Sequence, residues 1–571
     1  MIDRLTKSTY GWAIVLILLI LINWIFSFIH YRADLTAEKR YTVSEATRKM
    51  LQDLDGNVDV TVLLSGDLPA GFRKLAGSTG DLLEEFRDIS GNKLSYHFEH
   101  PGANLPDTLK AALIDSLRSL GINATNVKAQ TKEGEGEEQQ LVYPGAVITF
   151  KDRTIGVDFL QGQNFQDGLS SLNNAEALLE YKLAGSINKI RQDTVPLIGY
   201  LAGNGEPLDY RVYDLIEKTL RPNYAFRILP LDSVPVIPDF FKAVLIVKPV
   251  QRFNDSQKLK IDQYVMHGGK LIWMIDNLYA SLDSLQRSQG EFIAFDMGLN
   301  LEDQLFKYGV RINQDLVQDL QCDKIPSVIG QAGGKPQIQL LPWPYFPLLR
   351  STTGHPISKN LDYVLSQFPQ SLDTVEAKNI RKTVLLSSSP ESRILSTPAR
   401  VEWASVRNEE DLKTFTKSNV PVAVLLEGKF ESLYANRLSR AMADSLAAAG
   451  SPFLQETREE NKMIVVADGD LAINSIDQNE GPLQMGTNMY TKQQYANREF
   501  LLNSVEYLVD QTGILETRGK DFTLRLLDKS KYEDSKSFWQ ILNIVVPALV
   551  VMFFIALYQY FRKLRYGKQG K

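Results

Sequence analysis

The chain has 571 residues, of which 44% are hydrophobic and 23% are charged, and its formal net charge is −5. These values are typical of a folded protein with several domains and exclude a disordered chain. The near-neutral charge gives no indication of nucleic-acid binding. Its one cysteine, Cys322, excludes a disulfide within the chain and a zinc site built from four thiolates.

An uncharged apolar stretch occupies residues 11–29. It is long enough to cross a bilayer, and no small-residue cleavage site follows it. We therefore expect an uncleaved signal anchor, with residues 1–31 forming a cytoplasmic stub and a transmembrane helix.

The first part of the body, residues 32–170, alternates predicted helices with predicted strands. The helices are expected at 45–54 and 108–120, with a third between them whose apolar face contains Leu75, Leu82, Leu83, Phe86 and Ile89. The strands are expected at 58–64 and 93–98, with a pair within 145–159. This order predicts a small α/β domain outside the cytoplasm.

The second part, residues 171–515, begins with a predicted helix at 174–191 and contains several short, continuous apolar runs. They lie at 195–201, 243–247, 271–275, 422–426 and 463–467. Such runs are typical of strands buried on both faces, and predicted helices at 208–220 and 256–267 separate some of them. The pattern predicts a parallel, doubly wound sheet, interrupted by a β-rich insertion at about 280–400.

A linker at 516–537 leads to a second uncharged apolar stretch, residues 538–561, and then to a basic tail at 562–571. Two spans place both termini on one side of the membrane, and the basic tail favours the cytoplasm. The stretch contains Asn543, Pro547 and Gln559. Its two amides either contact a partner helix or lie near the membrane interfaces.

Three polar turns follow predicted strands of the large sheet. They carry Glu206, Asp276, Asp468 and Asp470. The carboxyl ends of parallel strands share one edge, where ligands usually bind, so these acids either line a groove for a polar or cationic group or belong to ordinary turns. The turn at Asp468 does not fit a calcium loop, and no metal site or cofactor is expected.

The densest aromatic segment, residues 342–347, holds Trp343 and Tyr345 between prolines. Aromatic side chains in an extended segment can stack on sugar rings or contact a partner. They can equally attach the insertion to its own core, and the sequence leaves both interpretations open.

Several catalytic motifs are missing. None of the Gly-Lys pairs is followed by Ser or Thr, which excludes a P-loop ATPase, and no Gly-x-Ser-x-Gly elbow occurs. We expect a protein that is not an enzyme. The alternatives are a structural scaffold of the cell envelope that binds no solute, or an envelope hydrolase that uses Glu206, Asp276 and Asp468.

Five segments resemble one known family. They are RADLTAEKRYTVS (32–44), YLAGNGEP (200–207), the block 243–278, LLPWPYFPLL (340–349) and VPVAVLLEGKFESLYANR (420–437). With the two apolar ends, they resemble the gliding-motility-associated ABC transporter auxiliary components, the GldG family, over essentially the full length.

The resemblance implies a two-pass protein of the bacterial inner membrane with a periplasmic body. It implies a substrate-binding-like role beside a separate permease and ATPase, and contact with the lipid bilayer and with other gliding-motility envelope proteins. It also implies a GIFT-like domain related to glutamine-amidotransferase folds without their nucleophile. It supplies no ligand residues.

Overall fold

A computed structural model describes most of the body and the C-terminal helix. It covers residues 42–103, 106–129, 138–160, 168–288, 290–332, 334–403, 409–510, 512–519 and 536–566, together with positions 17, 20 and 21. Apart from those three positions, the predicted N-terminal span therefore lies outside the described residues, as do most of the linker and the end of the basic tail. Residues 1–521 and 522–571 form two separate compact units.

The first unit begins with a small α/β domain. Its helices are α1 (Glu45–Gln52), α2 (Ala70–Ile89), α3 (Asp107–Ser119), α4 (Gly168–Ala177) and α5 (Leu179–Arg191). Its strands are β1 (Val58–Val62), β2 (Leu94–Phe98), β3 (Thr125–Ala129), β4 (Glu138–Val142), β5 (Gly145–Phe150) and β6 (Arg153–Asp158). The predicted small α/β domain is confirmed.

Four of these strands form one sheet in the order β2-β1-β5-β6, in which β1 is parallel to β2 and antiparallel to β5. Val58, Val60 and Val62 of β1 point into the core, as the alternating burial of the strand shows. α2 packs its buried residues Leu83 and Phe86 into the same core. The N-cap of α1 is Ser44, whose hydroxyl accepts a hydrogen bond from the Thr47 N–H.

The segment predicted as one helix at 174–191 is divided between two helices, α4 and α5, which are separated by Leu178. Buried residues along α5, including Leu183 and Ile187, join the core of the small domain.

The second part of the unit contains a seven-stranded sheet. Its strands are β7 (Leu197–Ala202), β8 (Ala225–Pro230), β9 (Phe241–Val247), β10 (Lys270–Met274), β19 (Ile380–Ser387), β22 (Pro421–Gly428) and β23 (Asn461–Val466), in the order β19-β22-β23-β10-β9-β7-β8. β8, β7, β9, β10 and β23 are mutually parallel. β22 is antiparallel to both of its neighbours, so the sheet is mixed and the prediction of a parallel sheet needs correction.

Helices cover both faces of this sheet. α6 (Asp255–Met266) and α8 (Glu302–Tyr308) pack on one face, and α11 (Asn497–Val509) packs on the other. α6 begins with a capping box, in which the Asn254 side chain and Gln257 bond to each other's backbone N–H. The predicted helix at 208–220 is instead a 3₁₀ turn, Tyr210–Val212, followed by a π-helix, Asp214–Leu220.

The insertion between β10 and β22 is rich in β-structure. It contains β11 (Leu278–Tyr279), α7 (Leu282–Arg287), β12 (Glu291–Asp296), β13 (Val310–Ile312), β14 (Asp315–Asp319), β15 (Cys322–Ala332), β16 (Lys335–Leu349), β17 (Val364–Leu365), β18 (Leu372–Thr374), β20 (Ser392–Ser396), β21 (Ala399–Glu402) and α9 (Glu409–Leu412). β15 and β16 form a long antiparallel hairpin. After β22 come α10 (Arg440–Ala448), β24 (Ile476–Asp477), β25 (Gly481–Pro482) and a 3₁₀-helix at Ile514–Gly519.

The second unit contains one long helix, α12 (Lys536–Tyr566). Within its segment Phe538–Leu564, the most apolar 18-residue window has a mean hydropathy of 2.6 and is exposed. By length and composition this helix can cross a membrane, which confirms the predicted C-terminal apolar helix.

Candidate functional site

The carboxyl ends of three adjacent parallel strands place four charged side chains at one edge of the large sheet. Lys248 directly follows β9, Asp276 comes two residues after β10, and Asp468 and Asp470 follow β23. Because β23, β10 and β9 are neighbours and run in the same direction, these short extensions meet.

Lys248 links two of the aspartates. Its Nζ lies 3.0 Å from Asp276 Oδ2 and also forms an ion pair with Asp470 Oδ1. Carboxylate oxygens of Asp276, Asp468 and Asp470 all lie within 4.8 Å of one another. The four side chains therefore form one charged cluster, which we call the carboxylate–lysine cluster.

Asp468 is fully buried and is bonded to the insertion. One oxygen, Oδ2, accepts two hydrogen bonds, from the Ser366 hydroxyl and from the Gln367 N–H, the latter at 3.0 Å. Its other oxygen accepts from the Asp470 N–H at 2.7 Å. Asp276 accepts from the Gly469 N–H at 2.6 Å. The carboxylates therefore attach the turn after β23 to β10 and to the insertion.

Two backbone features bring the cluster together. Lys248 has φ of +46°, in the left-handed region that side-chain-bearing residues seldom adopt. Gly469 lies so close to Lys248 that an added Cβ would be 2.8 Å from the lysine Cβ. A larger residue at 469 would therefore separate the turn after β23 from Lys248.

Burial and charge shift the pKa values within the cluster. Burial, together with the charges of Asp276 and Asp470, raises the pKa of Asp468 to about 8. Burial also raises the pKa of Asp470, although Lys248 opposes that change. Burial alone would lower the pKa of Lys248, but the two aspartates raise it above its usual value, so the lysine is charged at neutral pH.

Three carboxylates at this spacing are ligands of the kind that Mg²⁺ or Ca²⁺ prefers. Here the Lys248 ammonium group contacts two of them and supplies the positive charge that a cation would bring. The hydrogen bonds already made by Asp276 and Asp468 occupy further lone pairs. The chemistry of the cluster is therefore that of a buried ion-pair network.

The fourth predicted acid, Glu206, belongs to the loop after β7. Its Oε2 accepts hydrogen bonds from the N–H groups of Gly203, at 3.0 Å, and Asn204, at 2.8 Å. Burial raises the pKa of Glu206, and the nearby acid that adds to this shift is Asp232. The grouping of acids within 4.8 Å in the described part of the chain contains the three aspartates and not Glu206.

The aromatic segment forms the core of the insertion. The side chains of Trp343 and Tyr345 are each 1% exposed, and their rings lie 5.1 Å apart. Trp343 also packs against Phe346, at 5.1 Å, and Phe368, at 5.5 Å. This burial favours the interpretation in which the segment attaches the insertion to its own core.

The sequence interpretation omitted Lys248 and Ser366 from the edge of the sheet. Lys248 could have been found, because it directly follows an apolar run, as the predicted acids do. Ser366 lies 102 residues before its partner Asp468, and no local pattern connects the two.

Cys322 does not have the environment of a nucleophile. Its thiol is partly buried, and burial, with the charges of Asp319 and Asp323, raises its pKa to about 12. A thiol of this kind is protonated at neutral pH and reacts slowly.

A family model described as an ABC-type uncharacterized transport system matches residues 196–504. The chain belongs to this family of ABC transport auxiliary proteins. The matched region includes the large sheet, the insertion and the whole carboxylate–lysine cluster. A second model, for a domain of unknown function, matches residues 37–149, within the small α/β domain.

No curated protein matches the auxiliary protein. One solved structure, described as the mmIFT52 N-terminal domain, is 12% identical to it. That match covers 55% of this chain and 96% of the other, with a TM-score of 0.30, which is too low to carry an argument.

Proposed function

We propose that this protein is a non-catalytic accessory subunit of an ABC transporter associated with bacterial gliding motility. In this proposal the chain crosses the inner membrane twice, its termini are cytoplasmic, and its body works in the periplasm beside a separate permease and ATPase. Membership of the auxiliary family, together with the exposed apolar helix α12, supports a subunit that works within a membrane complex.

α12 carries a polar feature that suits a helix partner. Pro547 has no N–H, so the carbonyl of Asn543, one turn earlier, loses its usual helical donor. Asn543 is exposed, so this backbone carbonyl and the side-chain amide belong to one exposed residue. Polar groups at membrane depth are stabilised by a neighbouring helix, and we assign that role to the permease.

The carboxylate–lysine cluster supports a non-catalytic role. A hydrolase that uses two carboxylates needs one free to act as a base and one free to donate a proton. Asp276 is paired with Lys248, and Asp468 is bonded to the insertion. These contacts use the acids to join elements of the fold.

The remaining parts of the sequence interpretation stay proposals. The gliding-motility link and the GIFT-like classification rest on the resemblance of the five sequence segments. The assignment of Glu206, Asp276, Asp468, Asp470, Trp343 and Tyr345 to ligand binding stays a prediction. Of the four predicted acids, Glu206 is the one that lies outside the carboxylate–lysine cluster.

Co-purification tests the proposal. The tagged full chain, expressed with the permease and ATPase of its transport system and extracted in a mild detergent, should recover both. Asn543→Leu should reduce recovery of the permease, because interhelical hydrogen bonds of this kind contribute about 0.6–2 kcal/mol.

Gln559→Leu is the matched control. Gln559 lies about four and a half turns after Asn543, on nearly the opposite face of α12, and it is also an exposed amide. Recovery should then stay near that of the unmodified protein. If the unmodified chain purifies without permease or ATPase, the proposed function is wrong.

A further inference from the structure

The hairpin of β15 and β16 extends beyond the core of the insertion as a two-stranded arm, residues 324–342. At its base, Ile325 and Trp343 are buried in the insertion core. Beyond the base, nearly every described residue from 328 to 342 is exposed. The arm is roughly 30 Å long, at about 3.3 Å per residue.

One face of the arm is apolar and uncovered. The register pairs Pro326 with Leu340 and Val328 with Ile338, so these four side chains share a face. Val328 is 66% exposed, Ile338 62% and Leu340 40%. The opposite face carries Ser327 and Gln339, which form the intervening pair, and also Leu341, which pairs with Ile325 and is 36% exposed.

The composition of the arm is unusual for a ribbon in water. Residues 324–342 contain lysines at 324 and 335 and neither Asp nor Glu. Exposed strands are normally protected from association by charged side chains. Depletion of charge around an uncovered apolar face is instead typical of the centre of a protein–protein interface.

Prolines block the edges of the arm. Pro326, Pro336 and Pro342 are all paired across the hairpin, and without an N–H none can donate to its partner. Each proline therefore belongs to a non-hydrogen-bonded pair, in which the backbone N–H and C=O groups point away from the partner strand. The outer edges of the arm lack an N–H donor at each proline. Association through strand addition is disfavoured, so the contact surface is the apolar face.

A protein groove suits this face better than lipid. Val328, Ile338 and Leu340 occupy the same alternate positions as the prolines, so their N–H groups also point to the outer edges of the arm. Lipid tails offer no hydrogen-bond acceptor to these groups. The segment 324–342 also lacks Trp and Tyr, the side chains that anchor proteins at membrane interfaces. A protein surface can supply both apolar contact and acceptors.

We propose that the arm docks, through the face formed by Pro326, Val328, Ile338 and Leu340, in an apolar groove of the transporter's permease subunit. Lys324 lies on the same face at the base of the arm, because it pairs with Pro342 in this register, and the segment 324–342 contains no acid, so the groove needs a carboxylate at its rim. This inference rests on the proposed function, because it assigns the arm to the same complex.

Site-specific photo-crosslinking tests the docking. A photo-crosslinking residue replaces Ile338 in one full-length protein and Gln339, on the opposite face, in another. Each is expressed with the permease and ATPase and irradiated in native membranes. Position 338 should give a permease adduct with about tenfold higher yield than position 339. Equal yields, or adducts from 338 only to lipid or to a second copy, would overturn the inference.

Paired substitutions provide an independent measurement. Val328→Ser with Ile338→Ser should lower the permease recovered by about tenfold, the usual scale for losing interface anchors. Both side chains are exposed, so the body should stay folded. Lys324→Glu should also lower recovery, whereas Lys324→Arg should preserve it.

Gln337→Ser with Gln339→Ser is the control and should leave recovery unchanged. If the unmodified chain recovers the permease but the Val328/Ile338 pair recovers as much, the arm inference is wrong and the proposed function stands. If the unmodified chain recovers no permease, the proposed function fails, and the arm inference fails with it.

Discussion

At the scale of single residues, Lys248 stabilises the charged edge of the large sheet. It supplies the positive charge between Asp276 and Asp470, and only 18% of its side chain is exposed. Two carboxylates buried without a counter-charge repel each other and lose their hydration. The ion pairs also help to hold Lys248 in its left-handed backbone conformation, which by itself is unfavourable.

Lys248→Met should therefore lower the free energy of unfolding by about 3–5 kcal/mol, the usual cost of leaving a buried charge unpaired. Denaturant unfolding of the full chain in detergent, followed by tryptophan fluorescence, measures this loss. Lys151→Met is the matched control, because Lys151 also has positive φ, of 52°, and pairs with Asp55 at 3.1 Å. Both partners there are about 60% exposed, so solvent screens the pair and the expected loss is small. Similar losses in the two variants would refute the role of Lys248.

Asp468 makes the stability of the body depend on pH. Its pKa is raised to about 8 in the folded protein, whereas an unfolded aspartate titrates near 4. Between these values the folded state binds the proton and the unfolded state does not. The contribution of Asp468 is thus fully present below about pH 4 and is lost as the pH rises toward 8. Asp276, Asp470 and Lys248 are the charged groups that face it.

Asp468→Asn removes this titration. The free energy of unfolding of the unmodified protein, relative to the variant, should fall between pH 5 and 8 by up to about 1.4 kcal/mol per pH unit. Unfolding midpoints at several pH values measure the difference. Parallel curves for the two proteins across this range would show that the folded-state pKa of Asp468 is not raised.

At the scale of elements, the sequence predicts what local physical chemistry determines. β9 and β10 were found because a strand buried on both faces reads as an uninterrupted apolar run. α6 begins one residue before its predicted start at 256, where an Asn cap followed by Gln at the third helical position satisfies free backbone donors. The acids after β10 and β23 were grouped because parallel neighbours end at one edge.

Other features depend on partners far along the chain. The apolar run of β22 looks the same in either direction, so nothing local distinguishes its antiparallel pairing with β23. The π-helix at Asp214–Leu220 has helical periodicity in the sequence. Its first residue, Asp214, forms an ion pair with Arg498 of α11. The separation of Glu206 from the aspartates follows from hydrogen bonds that its own loop makes.

At the scale of the whole molecule, the proposed function requires the body to lie on the periplasmic side of the membrane. The uncharged stretch of α12, residues 538–561, is about 36 Å long, which exceeds the roughly 30 Å of a hydrocarbon core. The basic tail after it favours the cytoplasmic side. The proposed topology therefore places the body that precedes α12 outside the cytoplasm.

Cysteine labelling with a membrane-impermeant maleimide tests this arrangement in spheroplasts. The natural Cys322 should give little background, because it is partly buried and its pKa is raised to about 12. Asn479→Cys, in an exposed turn of the body, should react in intact spheroplasts. Lys568→Cys, in the basic tail, should react only after lysis, because the inner membrane then separates it from the reagent. The reverse pattern would place the body in the cytoplasm. The auxiliary subunit would then meet its permease from the ATPase side, and the arm could dock only on a cytoplasmic surface.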